Sequence, residues 1–327
     1  MNKPTVLVTG GAGYIGSHTA MQLAAHGYAP VVYDNLSNGH REFVRWGPLE
    51  EGDIRDAPRV QEVIARHRPA AIIHFAALIE VGESVKHPER FYEVNVGGAA
   101  TVLAVARRAG IRNFVFSSTC ATYGTPERLP LTEDHPQRPL NPYGHSKLMV
   151  ERQLAEMDSA DEMRSVVLRY FNAAGAAADA PIGEDHDPET HAIPLILDVV
   201  AGRREAFSIF GSDYATRDGT AERDYIHVLD LADAHVLALE HLIGGGASRA
   251  FNVGTGNGTT VRELIAAAEA ATGRPCAVRQ ADRRPGDAER LVADPGRLAG
   301  ELGWRPKRDL GEILRTAWAW HRQRHGL

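Results

Sequence analysis

An α/β fold built on a doubly wound parallel sheet is what this sequence predicts, and three observations predict it. Short β-branched apolar runs alternate with segments of helical spacing over residues 1–175, a glycine cluster follows the first of those runs, and the texture changes after Gly175. Parallel neighbours need long right-handed crossovers, and the alternation supplies them. The run Thr5–Thr9 reads as a strand and leads through Gly10, Gly11 and Gly13 into a helix over 15–26, which Gly27 closes as a left-handed cap. A second strand, 30–34, starts at a tolerated proline and ends at Asp34, completing a βαβ unit. A third strand over 49–53 precedes a helix from the N-cap Asp56, with Val60, Val63, Ile64 and His67 on one side. Residues 70–76 read as a fully buried strand. Helical spacing at Val94, Val102, Val105 and Ala109 stops at Gly110, a strand over 114–117 follows, and a helix over 143–157 feeds a strand over 165–170.

Such a chain folds as a Rossmann-type domain, expected over 1–175 with a returning segment near 223–255. Residues 176–190 are rich in Gly, Pro and acidic residues and read as loop. Residues 176–327 are expected to form mainly a smaller C-terminal α/β substrate-binding domain. Its helices run over 193–201, from a Thr260–Glu263 capping box to Gly273, and over 310–321, where Leu314 and Trp318 lie at core spacing.

Composition narrows the classes of function. The 327 residues are 43% hydrophobic and 24% charged with a formal net charge of −6, which sets aside wholesale disorder and gives no basic surplus for a nucleic-acid backbone. Cys120 and Cys276 lie far apart without metal-ligand spacing, so a reducing, cytoplasmic setting and no metal are expected. The initial apolar run is too short for a signal peptide, and the most apolar stretch, 70–81, is broken by His74 and Glu80, so no membrane span is expected.

The stretch Thr9-Gly10-Gly11-Ala12-Gly13-Tyr14-Ile15-Gly16 joins the first strand to the first helix. It reads with glycines at 10, 13 and 16 or at 11, 13 and 16. Either way it offers a tight turn, backbone close to a pyrophosphate, and a helix N-terminus that favours an anion. Asp34, 18 residues beyond Gly16, is placed to meet the adenosine ribose hydroxyls and to repel a 2'-phosphate, which favours NAD over NADP; Arg41 nearby pulls the other way. Asp53, at the end of the third strand, is a candidate neighbour of the adenine.

Tyr143 and Lys147 sit at i and i+4 of one predicted helix and can act on one atom. A phenol titrates near 10, so making it a base near neutrality takes about three units, roughly 4 kcal/mol, of help from positive charge. Lys147 and an oxidised nicotinamide both carry that charge. Thr119, at the end of the strand 114–117 and its continuation, is the candidate hydrogen-bond partner of the reacting oxygen.

With these motifs in place the chain resembles the extended short-chain dehydrogenase/reductase family, and within it the UDP-sugar 4-epimerases. The resemblance runs through residues 9–18, Asp34-Asn35-Leu36, Gly52-Asp53-Ile54, His74-Phe75-Ala76-Ala77, Val81-Gly82-Glu83-Ser84, 116–124, Asn141-Pro142-Tyr143-Gly144 with Lys147, and Leu168-Arg169-Tyr170-Phe171-Asn172. It continues in Gly183-Glu184-Asp185, Arg223-Asp224-Tyr225-Ile226-His227-Val228 and Arg283-Arg284-Pro285-Gly286-Asp287. The resemblance implies that Thr119, Tyr143 and Lys147 act together and that Gly10, Gly13, Tyr14, Ile15, Gly16, Asp34, Asn35, Asp53, Ile54, Phe75, Ala76, Ala77 and Tyr170 surround NAD, with Asn95 near its pyrophosphate or its reacting end. It also implies that Asn172, Arg223 and Arg284 meet a UDP-sugar, with Asp287 near the uridine ribose and Phe210 bordering the uracil.

Two departures stand out. Ile79 occupies a position where many members carry a lysine near the cofactor pyrophosphate, and Thr119 stands where serine is common. The implied reaction oxidises the sugar at C4 to a 4-keto intermediate that rotates and is reduced again, interconverting UDP-glucose and UDP-galactose. A UDP-xylose/UDP-arabinose 4-epimerase is the nearest alternative. A nucleotide-sugar 4,6-dehydratase lacks its Asp-Glu pair, because Cys120 and Ala121 follow Thr119, and a non-catalytic NAD sensor has no need of Tyr143 and Lys147. Leu291 is implied to line the pocket at the sugar's 2-substituent, with a core leucine as the plain alternative. A homodimer through segments near 92–109 and 143–157 is implied as well.

Overall fold

A computed structural model describes residues 4–161, 163–283 and 288–327. Strands β1 (Thr5–Thr9), β2 (Ala29–Asp34), β3 (Leu49–Glu51), β4 (Ala71–His74), β5 (Asn113–Thr119) and β6 (Arg164–Tyr170) follow the alternation read from the sequence. β7 (Asn172–Ala174), β8 (Phe207–Phe210), β9 (Glu222–His227), β10 (Arg249–Val253), β11 (Gly258–Thr260), β12 (Val278–Ala281) and β13 (Arg290–Leu291) lie beyond it. Seven strands form one parallel sheet in the order β10-β6-β5-β4-β1-β2-β3. The chain builds outward from β1 to β3, returns to β4 on the other side of β1, and continues to β6. The order therefore reverses between β1 and β4, where a crevice opens at the carboxyl ends of the strands.

Alternation within each strand explains why the sheet is covered twice. Val6 and Val8 of β1 join one core with Leu23 and with Leu231 and Leu239 of the helix Val228–Ile243. Leu7, between them, joins the opposite core with Val60, Val102 and Leu154. That helix, from beyond residue 175, is the longest element that periodicity alone did not single out, and β10 adds an edge strand to the sheet.

Several boundaries differ from expectation for local reasons. The third strand stops at Glu51, and Asp53 lies in the turn that the Tyr33 hydroxyl fixes by donating to the Asp53 carbonyl at 2.7 Å. The strand expected over 70–76 ends at His74, because the amides of Phe75 and Ala76 both donate to the Thr9 carbonyl, at 2.9 and 3.1 Å. The helix expected from Val94 begins as a π-helical stretch, Tyr92–Gly98, before the α-helix Ala99–Arg108. The Thr260–Glu263 capping box forms as read. Residues 175–191 carry no helix or strand.

Beyond the main sheet, β9 pairs with β7 and β13 in parallel and with β11 antiparallel, while β8 and β12 form a separate parallel pair. The helices Ala192–Val200, Val261–Thr272 and Leu310–His325 share a further core that includes Ile196, Leu264, Leu314 and Trp318. No helix among the described residues is long and apolar enough to cross a membrane.

Candidate active site

The crevice holds a cavity of about 540 Å³, within the range of small-molecule sites. One arm of its wall is backbone. Gly10, at φ +72°, makes the tight turn after β1, and a Cβ there would stand 2.5 Å from the Ala76 nitrogen. A Cβ on Gly16 would stand 2.2 Å from the Gly10 carbonyl oxygen, so the helix Tyr14–Ala25 approaches the turn only with glycine at 16. Gly13 caps this helix without a side-chain acceptor, which leaves the first-turn amides for an anionic ligand. Gly10, Gly13, Tyr14, Ile15 and Gly16 all line the cavity.

Asp34 ends β2 and is buried. Its two carboxylate oxygens accept from the Ala12 and Leu36 amides, each at 2.9 Å, and burial pushes its carboxyl upward against those bonds. Asn35 and Asp53 are joined at 3.1 Å, and Arg55 holds Asp53 well below the usual carboxylate range. Ile54, Phe75, Ala76 and Ala77 complete this arm, all at the cavity wall with Asp34, Asn35 and Asp53. Arg41, the cation that would favour a 2'-phosphate, is exposed and ion-paired with Glu51. The glycine turn, the open helix end and the Asp34 carboxylate thus fit a dinucleotide without a 2'-phosphate.

The other arm is made of side chains. Tyr143 and Lys147 project from the helix Pro142–Ser159, whose N-cap Asn141 accepts from the Gly144 amide at 2.9 Å. Tyr143 reaches the cavity, and Thr119 and Tyr170 line it beside the phenol. Thr119 bonds to Tyr143 and also accepts from the Ala121 amide at 3.1 Å. Burial pushes the Tyr143 phenol well above its ordinary value, and the Thr119 bond opposes the rise. Burial also pushes the Lys147 ammonium down to about 7, with Glu151 one turn on opposing the fall. Lys147 Nζ donates to the Ser117 carbonyl at 2.9 Å, over the Phe116 ring, and lies outside the cavity lining. Tyr170 is bonded to Ser117 Oγ at 2.7 Å. Asn172 of β7, Arg223 of β9 and Leu291 of β13 close this arm, with Arg223 donating to the Glu222 and Glu289 carbonyls at 2.9 and 3.3 Å.

Three expected site residues do not line the cavity. Asn95 is buried and spends its amide internally: it accepts from the Leu78 amide and donates to the Leu78 carbonyl and to Ser146 Oγ, so it shapes the wall at Leu78 from behind. Lys147 is buried with its ammonium on the Ser117 carbonyl and does not line the cavity. Phe210 ends β8 next to a shallower depression formed by residues 211–213 and 280–283, and it does not line the main cavity. Arg284 and Asp287 lie outside the described residues. The cavity adds residues that sequence reading passed over: Leu78, Arg90, Glu93, Glu184, His186 and His191. Of these only Glu184 fell in a motif; Arg90 stands on the same wall as Ile79, a cation with no spacing to announce it.

Comparison with known proteins agrees with this geometry. Residues 6–254 match the model of the NAD dependent epimerase/dehydratase family. A UDP-glucose 4-epimerase of Rhizobium leguminosarum bv. trifolii is 63% identical over 321 residues, 98% of each chain. The crystal structure of UDP-glucose 4-epimerase from Brucella ovis in complex with NAD superposes with a TM-score of 0.94 at 52% identity, covering 97% of this chain and 98% of that one. That of UDP-glucose-4-epimerase from Stenotrophomonas maltophila, with bound NAD and formylated UDP-arabinopyranose, gives 0.96 at 40% identity over 99% of both chains.

Proposed function

We propose, for a chain that belongs to the NAD dependent epimerase/dehydratase family, a 4-epimerase that interconverts UDP-glucose and UDP-galactose. One observation carries the reading: the glycine turn with Asp34 and the Tyr143–Thr119 pair open into the same cavity, with Asn172 and Arg223 on its far wall. Bound along the first arm, NAD would supply the hydride acceptor and donor for oxidation at C4 and its reversal, and a positive charge when oxidised. The first-turn amides after Gly13 would hold its pyrophosphate and Asp34 its adenosine ribose, and Arg90 would supply a cation on the wall where Ile79 offers none.

The chain's own chemistry is proton transfer and positioning. Tyr143 as phenolate takes the proton of the 4-hydroxyl and returns it after inversion, and Thr119 holds the same oxygen by hydrogen bonding. A buried phenol ionises only beside positive charge, and that role is assigned to Lys147, one turn on in the same helix with its ammonium on the Ser117 carbonyl, together with the oxidised nicotinamide. Arg223, with fixed and permanently charged donors, suits the substrate diphosphate, and Arg284 and Asp287 are assigned to the nucleotide on resemblance alone. The 4-keto sugar turns about its link to that anchored diphosphate and is reduced on its other face. Dehydration is disfavoured because buried Cys120 and Ala121 follow Thr119 where an acid–base pair is needed.

Residues 1–175 with the returning strand β10 are read as the cofactor domain, and most of 176–327 as the substrate domain. The setting is read as cytoplasmic. Two copies pair through the segments near 92–109 and 143–157, where Tyr92 and Met149 are exposed. Sedimentation as a monomer at micromolar concentration would refute that pairing. The functional reading is tested by incubating the purified protein, without added cofactor, with UDP-galactose and with UDP-arabinopyranose. Rapid formation of UDP-glucose is expected; turnover of the pentose alone would replace the hexose assignment.

A further inference from the structure

The loop 175–191, between β7 and the helix Ala192–Val200, folds four side chains of Glu-x-His-x-x-Glu-x-His spacing onto one point: Glu184, His186, Glu189 and His191. One nitrogen or oxygen from each lies within 4.8 Å of all the others. His191 Nδ1 is 2.9 Å from Glu189 Oε1 and 3.1 Å from Glu184 Oε1, while His186 Nδ1 is 3.5 Å from Glu189 Oε2 and 3.6 Å from Glu184 Oε1. Ligands held tetrahedrally at about 2.0–2.1 Å from one ion stand about 3.3–3.4 Å apart; the separations of the two histidines from Glu184 Oε1, 3.1 and 3.6 Å, lie on either side of that edge, while Glu189 meets His191 through Oε1 and His186 through Oε2.

Hydrogen bonding accounts for His191 but not for His186. Its Nδ1 is buried, turned toward both carboxylates at or beyond the limit of a hydrogen bond, and without a partner. Charge points the same way. The side chains of Glu184 and Glu189 are only 8% and 14% exposed, and among the described residues these two histidines are their only ion-pair partners. Glu189 Oε1 also accepts from the Thr190 and His191 amides at 2.7 and 2.8 Å, which leaves its second oxygen and the Glu184 carboxylate facing the unpartnered His186 Nδ1, a set that a divalent cation joins by using each Nδ1 lone pair.

We propose that Glu184, His186, Glu189 and His191 form a zinc site that staples the loop 175–191 at the cavity wall. Two imidazole nitrogens and two carboxylate oxygens in a closed four-ligand set suit a structural zinc rather than magnesium or calcium, which prefer more oxygens. The expectation of no metal rested on cysteine spacing and overlooked a histidine–carboxylate set inside an irregular loop. The site touches the cavity through Glu184, His186 and His191, so the ion sets the shape of that wall without entering the reaction.

Elemental analysis of the purified, tag-free chain tests the proposal without turnover, so its outcome is independent of the epimerase assignment. About one zinc per chain is expected after growth in zinc-supplemented medium. Stripping it with dipicolinate should lower the melting temperature by several degrees, and zinc but not magnesium should restore it. His186→Ala should lose the zinc and the zinc-dependent recovery while still copurifying with NAD; should that variant fail to fold, His186→Gln serves, as it keeps polarity without an imidazole. Less than a tenth of a zinc per chain together with no heat of binding on titration with zinc would overturn the site and leave an ordinary His191 ion-pair cluster. Undiminished zinc in both His186 variants would equally overturn it, by placing the metal elsewhere.

Discussion

Along the wall from Gly10 to Ala77 the cavity is shaped by main chain, whereas from Thr119 to Leu291 it is shaped by side chains delivered from β5, the helix Pro142–Ser159, β7, β9 and β13. On the first wall, Asp34 apart, the critical residues matter for what they lack: Gly10 and Gly16 are needed because a Cβ would strike backbone. On the second they matter for what they carry, a phenol, a guanidinium or a branched apolar tip. The first kind of wall presents fixed amides to a cofactor that stays, and the second presents adjustable groups to a sugar that must turn over. Four experiments test that contrast.

The largest effect is expected on the side-chain wall. Tyr143→Phe removes one oxygen and should lower turnover of UDP-galactose by about 10³-fold, while NAD still copurifies, because proton transfer by a positioned side chain contributes on that scale. Turnover within a few-fold of wild type would show that the phenol is not the proton carrier.

The seam between the two walls should be sensitive to acid. His18, fully buried on the cofactor helix, donates from Nδ1 to the Tyr14 carbonyl at 2.7 Å and accepts at Nε2 from the Ala177 amide at 3.1 Å, which requires the neutral ring. Burial pushes it down to about 4. A folded-state value below the unfolded 6.5 means that the unfolded chain binds the proton first, so stability is intact above 6.5 and declines as pH falls toward 4, by about 3 kcal/mol from this residue. Urea midpoints at pH 7, 5.5 and 4.5 should fall more steeply for wild type than for His18→Asn. Parallel slopes would remove His18 from the seam.

On the main-chain wall, Gly16→Ala should weaken NAD retention roughly 10- to 100-fold, the usual 1–3 kcal/mol of an overpacked contact. The measurement is the cofactor content of purified protein after dialysis, and full retention would show that the turn yields more readily than its geometry implies.

The smallest effect belongs to Leu291, which lines the cavity and also packs on the core of Tyr123, Leu131 and Phe171. Leu291→Ser should raise kcat/KM for UDP-N-acetylgalactosamine relative to UDP-galactose by about tenfold, since a branched side chain near the 2-substituent costs on the order of 1–3 kcal/mol. An unchanged ratio would assign Leu291 to the core alone.

What the sequence determined by itself is the part governed by local chemistry. The alternation of strands and helices, the glycine turn, Asp34 at a strand end and the i, i+4 pair of Tyr143 and Lys147 are each contained in a few neighbouring residues, so spacing was enough to find them. What only the tertiary structure decided is convergence. β10 joins the first sheet and the helix Val228–Ile243 covers it, although part of a second region precedes them and the rest follows, because their apolar faces complete the core above β1 and β4. Asn95 turned out to hold Leu78 from behind, Phe210 to lie off the main cavity, and Arg90 to share a wall with Ile79. The meeting of Glu184 and Glu189 with two histidines depends on how an irregular loop folds back. None of these is written in a period of 2 or 3.6, because side chains far apart in the chain meet only after the cores have fixed the elements that carry them.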